Sequence, residues 1–113
     1  MTVSVINLDE LKEIMDNDME LIQECFAEFL VDYPGLIGDI KTAAAAKNFE
    51  GVDNSAHKLK GTLRYLAAEP AATAAQTVEA AGKHQDPEGL EDKVSDLEAE
   101  CQKVILYIDD FSA

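Results

Sequence analysis

The residues best suited to chemistry are His57, Lys60 and Gly61, near the middle of the chain. Residues three and four positions apart share a face of a helix, so Lys60 and Gly61 are expected one turn beyond His57. A neutral imidazole can act as a nucleophile, and a nearby ammonium group can offset the negative charge of an arriving group. Glycine inside a helix costs about 1 kcal/mol relative to alanine, so Gly61 needs a reason such as access to the imidazole.

The helix predicted around these residues has a regular apolar stripe, and His57 lies outside it. Apolar residues recur at steps of three and four, at Phe49, Val52, Ala56, Leu59, Leu63 and Leu66. A second stripe, about 100° round the helix from Ala56, contains Asp53, His57, Lys60, Gly61 and Arg64. A histidine that packs in a core should lie on the apolar stripe, so His57 is expected to face solvent. The simplest alternative is an ordinary surface histidine, and the lysine and glycine one turn away argue against it.

Apolar periodicity elsewhere predicts an all-α fold. A short helix is expected at about residues 8–16, and long helices at about 18–47, 49–66 and 70–82, with a last helix capped by Asp86-Pro87 and ending near Phe111. The stripe of the first long helix keeps its phase across Pro34, which favours one bent helix over two. Its expected core residues are Met19, Ile22, Phe26, Phe29 or Leu30, Tyr33, Ile37, Ile40 and Ala44. We therefore predict an antiparallel four-helix bundle with a short additional N-terminal helix.

The fourth predicted helix is rich in alanine, and the second of the two histidines follows just beyond its end. Its inward face is expected to comprise Ala71, Ala74 or Ala75, Val78 and Ala81, and small residues there would allow close packing on a neighbouring helix. Gly82 is expected to stop this helix, which leaves His84 as a plain loop residue.

Composition limits the classes of partner and the compartment. The chain has 113 residues, a length typical of one soluble domain. Its net charge of −14 makes binding to nucleic acid or anionic membranes unfavourable. Residues 54–84 carry a net charge of +2, whereas residues 1–53 carry −9 and residues 85–113 carry −7. No apolar run approaches the length of a spanning helix, and no export signal is recognisable. Cys25 and Cys101 lie on apolar stripes and are expected to be reduced, so a cytoplasmic location is predicted.

Several chemistries lack their motifs. A carboxylate-bridged di-metal site needs Glu-x-x-His, but Asn54 and Ala81 stand three residues before the two histidines. Zinc-ligand spacing is absent. There is no glycine-rich phosphate loop, so ATP binding and autokinase activity are not expected, and no metal or cofactor is predicted for this chain.

The segment from Ala56 to Thr62, Ala-His-Lys-Leu-Lys-Gly-Thr, resembles the signature of histidine phosphotransfer (HPt) domains, the carriers of two-component phosphorelays. Phe26-Ala27-Glu28-Phe29-Leu30, Tyr33-Pro34 and Leu36-Ile37 are similar to the family's first long helix, and Val78-Glu79-Ala80-Ala81-Gly82 resembles its Leu-Glu-x-x-Gly ending. The resemblance covers about residues 18–108 of a single domain, 1–113, with a bundle core at about 18–111. The family often has glycine where Ala67 stands, which leaves the shape of that helix end open.

The resemblance implies a function and roles for particular residues. His57 would carry the phosphoryl group, Lys60 would support it electrostatically from a solvated face, and Gly61 would leave room for a response-regulator receiver domain. Arg64, Lys58 and Asp53 are further candidates for docking contacts. Mg²⁺ would come with the receiver. The expected partners are receiver domains and a hybrid sensor kinase, and the protein is expected to be a monomer. The alternatives are a non-catalytic helical module that binds receivers or a kinase, and a structural bundle with an unrelated partner.

Overall fold

The computed structural model describes residues 5–112, and all the regular structure in that range is helical. Five helices follow one another: α1 (Leu8–Ile14), α2 (Met19–Ala45), α3 (Phe49–Tyr65), α4 (Glu69–Lys83) and α5 (Leu90–Ser112). Helix α2 packs against α3 and α5, and α4 packs against the same two helices, while α1 contacts α2. Most of the core lies between these four long helices, and Ile6, Leu11 and Met15 in and beside α1 extend it. No helix in the described range is long and apolar enough to cross a membrane.

Short turns with the same construction join the first four helices. The side chains of Asn7, Asp18 and Asn48 each accept a hydrogen bond from a backbone N–H in the first turn of α1, α2 and α3. Asn17, Lys47 and Ala67 lie just before the N-terminal caps of α2, α3 and α4, respectively. Each has a left-handed backbone, with φ of 58°, 56° and 57°. Ala67 thus adopts the conformation that glycine favours, so the helix end keeps that shape without glycine.

Helix α2 continues through Pro34, as the unbroken stripe predicted. Its buried residues are Ile22, Phe26, Phe29, Tyr33, Ile37, Ile40 and Ala43. The prediction of a core position at Met19 was wrong, since Met19 is exposed, and of the two alternatives Phe29 and Leu30 the buried one is Phe29. Met19 begins the helix beside the α1–α2 turn, and Phe29 rather than Leu30 lies on the buried stripe. Ala43 is buried and Ala44 only half-buried, which is a shift of one position near the helix end.

The last helix begins later than Asp86-Pro87. The Asp86 side chain accepts a hydrogen bond from the backbone N–H of Glu88, so it caps a turn and not the helix. Gly89 follows with φ of 67°, a left-handed backbone, and its carbonyl accepts the bond from Lys93 that opens α5. The apolar residues of α5 recur at helical spacing and are buried at Leu90, Val94, Leu97, Cys101, Val104 and Ile108, whereas Phe111 at the end of the stripe is half-buried.

Gly82 does not stop α4, contrary to the prediction. The helix continues to Lys83, and the left-handed Gln85, with φ of 52°, ends the turn that follows. A Cβ at Gly82 would lie 2.6 Å from the backbone nitrogen of Asp53 and 2.8 Å from the carbonyl oxygen of Phe49. Gly82 is therefore needed because the backbones of α3 and α4 approach closely there. Small buried residues continue this face of α4: Ala71, Ala75 and Ala81 are buried as predicted, and Ala72 is buried as well.

Gly82→Ala should lower the free energy of unfolding by about 1–3 kcal/mol, because α3 and α4 would have to move apart. Gly38→Ala is the matched control within α2, where an added Cβ meets no heavy atom within 4 Å. The control should raise stability by about 0.5–1 kcal/mol, the usual gain from alanine in a helix. Urea unfolding of both variants measures these changes, and a stabilised Gly82→Ala protein would contradict the close approach.

Candidate functional site

His57 lies near the middle of α3 with its side chain in solvent. The side chain is 69% exposed, whereas its neighbours Ala56 and Leu59 are fully buried. The phase of the apolar stripe therefore predicted its exposure correctly. An exposed imidazole can meet a partner protein, but an isolated one would have no fixed ring orientation.

Glu79 of α4 fixes the orientation of the His57 ring. Its Oε2 lies 2.5 Å from Nδ1 of His57. The Glu79 side chain is only 8% exposed, and Glu79 is the one buried charged residue in the part of the chain that the structure describes. A buried carboxylate without partners is strongly unfavourable, so the atoms that satisfy it are important for the fold as well as for the site.

Lys60 satisfies the other oxygen of this carboxylate. Its Nζ donates a hydrogen bond of 2.5 Å to Oε1 of Glu79. The Lys60 side chain is only 15% exposed, so the expectation of a solvated face was wrong for this residue. The reason is that the lysine stem packs down toward α4, where the buried carboxylate attracts the ammonium group. Lys60 is therefore a partner of Glu79 as well as a cation near His57.

These contacts keep the Glu79 carboxyl ionised. Burial alone raises its pKa, but hydrogen bonds from Lys60 and His57, together with the charge of Lys60, outweigh that effect and bring the pKa below its ordinary value of 4.5. An ionised carboxylate can only accept hydrogen bonds, so Nδ1 of His57 must donate and carry the ring proton. In the neutral ring, Nε2 then keeps its lone pair. Nε2 makes no hydrogen bond to the side chains described, those of residues 5–111.

The close packing of α3 and α4 places Glu79 under His57. Val78 and Gly82, on either side of Glu79 along α4, are both buried, and Gly82 brings the two backbones together at Asp53, one turn before His57. The sequence reasoning assigned no role to Glu79. The available signal was a carboxylate within the otherwise apolar, alanine-rich face of α4, which is an unusual place for a charge without a partner.

The other predicted site residues lie on both sides of His57. Arg64 donates a hydrogen bond of 3.0 Å to the side-chain oxygen of Gln76 on α4. Asp53 is half-buried beside Gly82, and Lys58 is exposed. Gly61 is exposed too, and a Cβ there would meet no heavy atom within 4 Å. The structure thus brings together His57 and Lys60 through Glu79, while Lys58 has no part in that network.

The second histidine lies apart from this cluster. His84 follows the end of α4 and is exposed, as predicted for a loop residue. It borders a shallow groove between α4 and α5 with Thr77 and Lys93. Both cysteines are free, Cys101 buried and Cys25 half-buried. Within the described range, no group of three or more His, Cys, Asp or Glu side chains is placed to hold a metal ion.

Lys60→Ala should lower the free energy of unfolding at neutral pH by about 1–3 kcal/mol, because it removes a donor from a buried carboxylate. Ionised Glu79 stabilises the fold above the ordinary pKa of 4.5, and this contribution is lost as the pH falls and folded Glu79 becomes protonated. The deficit of Lys60→Ala should therefore shrink in acid, which urea unfolding across a pH series measures.

A control for this prediction is Lys103→Ala, which breaks an exposed ion pair of 3.1 Å with Glu100. Its effect should stay below about 1 kcal/mol. The double variant Lys60→Ala/Glu79→Gln should recover part of the loss, since the buried charge is gone. A pH-independent deficit equal to that of Lys103→Ala would show that Lys60 does not stabilise a buried charge.

Comparison with known proteins gives the chain a family. No curated protein and no solved structure shows a significant match to it. Residues 24–106 match the family described as the Hpt domain, and this range includes α3, α4 and the cluster of His57, Lys60 and Glu79. The match extends over most of the chain. The protein belongs to the Hpt domain family, whose members act in histidine phosphotransfer within two-component phosphorelays.

Proposed function

We propose that this protein carries a phosphoryl group on Nε2 of His57 and passes it between the aspartates of receiver domains. The observation that carries this proposal is the exposed ring of His57, whose Nδ1 is held by an ionised, buried carboxylate. That arrangement leaves the lone pair of Nε2 toward the partner. The family's activity in phosphorelays supports the same assignment.

The proposed transfer is a displacement at phosphorus. Nε2 attacks the phosphorus atom of an aspartyl phosphate on a receiver; the N–P bond forms as the P–O bond breaks, and the aspartate leaves as a carboxylate. The second transfer reverses these events on another receiver. Since such transition states need mainly positioning and charge stabilisation, a ring held by one fixed hydrogen bond is well suited to the reaction.

Glu79 and Lys60 assist in different ways in this proposal. The ring keeps its Nδ1 proton and gains positive charge as the N–P bond forms, and the carboxylate of Glu79 stabilises that charge. Lys60 keeps the carboxylate ionised and supplies positive charge close to the incoming phosphoryl group. Its ammonium has three donors, of which one is used for Glu79.

The proposal extends to the assembly. The four long helices form the antiparallel bundle expected of the family, with α1 as an added N-terminal helix, and the protein acts as a monomer that docks receivers over the His57 face. The receiver supplies Mg²⁺ and the aspartate. Gly61 leaves that face open, because a Cβ added at this position would meet no heavy atom within 4 Å.

His57→Gln should abolish phosphorylation by a phosphorylated receiver, because the other histidine, His84, lies apart from Glu79 and Lys60. The fold should be retained, since substitution at this exposed position is expected to change stability by about 0.5 kcal/mol or less. Transfer of radiolabelled phosphate measures the effect, and the product on wild-type protein should be labile in acid and stable in base.

The control for the phosphoacceptor is His84→Gln, which should accept label like the wild type. Label that persists in His57→Gln, or that is lost in His84→Gln, would contradict the assignment. A wild-type protein that binds receivers but never accepts label would favour the alternative, a non-catalytic interaction module.

Gly61→Gln should keep the unfolding temperature at or above that of the wild type, because the position has free space and glycine is unfavourable in a helix. Receiver binding and transfer should fall strongly, since a long side chain would occupy the docking face. Gly61→Ala is the milder control and should stabilise the protein by about 0.5–1 kcal/mol. A destabilised Gln variant with normal binding would show that Gly61 serves the fold and not docking.

A further inference from the structure

Asp53 lies on α3 one turn before His57, on the same stripe of the helix. Side chains four residues apart on a helix are neighbours, with Cβ atoms about 5–6 Å apart. The side chain of a helical residue also leans toward the helix N-terminus and covers the turn before its own Cα. The imidazole of His57 therefore lies over the turn that contains Asp53, and Asp53 is the one carboxylate of this stripe.

The Asp53 carboxylate has no counter-ion among the side chains described, those of residues 5–111. The ion pairs in that range join other residues, and none includes Asp53. Helix α4 covers one side of this turn, since a Cβ at Gly82 would lie 2.6 Å from the backbone nitrogen of Asp53. Asp53 is half-buried there. Its negative charge therefore stays one turn from the imidazole and is not neutralised by a partner.

The cations at the site act in the opposite direction. Lys60 already donates to Glu79, so those two charges largely cancel. Arg64 and Lys83 are exposed, and neither is in an ion pair with a side chain of residues 5–111. A phosphoryl group brings about two negative charges, so free cations around it favour the phosphorylated form. Asp53 opposes them from the neighbouring turn.

Glu79 and Asp53 affect the ring of His57 differently. Glu79 is hydrogen-bonded to Nδ1 and stabilises the positive charge that the ring gains in the proposed transfer. Asp53 forms no ion pair with the ring, so it responds to the summed charge of the ring and the phosphoryl group, which is negative. The Asp53 carboxylate therefore raises the free energy of the phosphorylated protein relative to the unphosphorylated one.

We propose that Asp53 sets the phosphoryl-transfer potential of His57, which is the tendency of the phosphohistidine to give up its phosphoryl group. The inference rests on the proposed function and assigns a residue that regulates that site. When the group leaves, the N–P bond breaks and its electron pair returns to Nε2, while a carboxylate oxygen of the receiver's aspartate forms the new bond to phosphorus. Removal of about two negative charges from beside Asp53 favours this direction.

The test measures the equilibrium constant of phosphoryl transfer, because docking contacts do not change it. The forward and reverse second-order rate constants are determined between this protein and one isolated receiver domain supplied with Mg²⁺. Their ratio is the equilibrium constant between the free proteins. A residue that only assists docking changes both rate constants by the same factor, whereas a residue that destabilises the phosphohistidine changes their ratio.

Asp53→Asn keeps the shape of the side chain and removes its charge. It should shift the equilibrium constant about fivefold toward phosphorylated His57 at about 0.1 M salt. Asp53→Glu keeps the charge and should stay within about twofold of the wild type. At about 1 M salt, where the Debye length is about 3 Å, the shift in Asp53→Asn should fall below about twofold.

The matched control is Asp96→Asn, which removes the same charge from an exposed position on α5, a helix that packs against α2 and α4. Its equilibrium constant should equal that of the wild type at both salt concentrations. Thermal melts confirm that each variant is folded at the temperature of the assay.

Equal equilibrium constants for the wild type and Asp53→Asn would overturn the inference. Forward and reverse rate constants that fall by the same factor would make Asp53 a docking contact and overturn it as well, with the proposed function intact. A shift of equal size in Asp53→Glu, or at both salt concentrations, would show an effect of shape and not of charge, which also contradicts it. Absence of any transfer to His57 in the wild-type protein would overturn the proposed function, and the inference with it.

Discussion

The buried carboxylate of Glu79 is the constraint on which the site and its supporting helices both depend. Its two oxygens lie 2.5 Å from Nζ of Lys60 and 2.5 Å from Nδ1 of His57, so one charge connects two residues of α3 to α4. A charge at this depth is tolerated only when donors reach it, and these donors are the residues that the proposed chemistry uses. The interaction that stabilises the α3–α4 contact thus also sets the ring proton of His57.

That contact requires two helices to pack at close range. Gly82 and the buried alanines of α4 allow it, because a Cβ at Gly82 would lie within 3 Å of the α3 backbone. Helix caps and left-handed residues in the short turns determine where α3 begins and ends. Glu79 therefore reaches His57 because of backbone features several residues away, and the exposed imidazole needs no loop to position it.

The helices could be predicted from the sequence because their apolar residues recur with helical spacing. Asn, Asp or Pro also marks the beginning of each of the first four helices. The exposure of His57 followed from the same phase. The α5 start and the role of Gly82 were predicted wrongly, since each depends on a local turn or on a neighbouring helix that one-dimensional spacing does not describe. Helical spacing also placed Lys60 beside His57 but could not show that its ammonium turns toward α4.

Glu79 shows most clearly where sequence reasoning stops. Its pairing with His57 joins residues 22 positions apart on different helices, and periodicity within one helix contains no information on such a pair. The conclusions from the sequence were strongest within single helices and weakest between them.

In the proposed mechanism, Glu79 holds the proton on Nδ1 of His57 and leaves Nε2 as the nucleophile. Nitrogen-15 NMR of the imidazole, recorded at about pH 8.5, where histidine side chains are normally neutral, reports this directly. We expect a protonated Nδ1 and an unprotonated Nε2 in the wild type, with the phosphoryl group on Nε2 after transfer. A His57 ring protonated on Nε2, or phosphorylated on Nδ1, would contradict it.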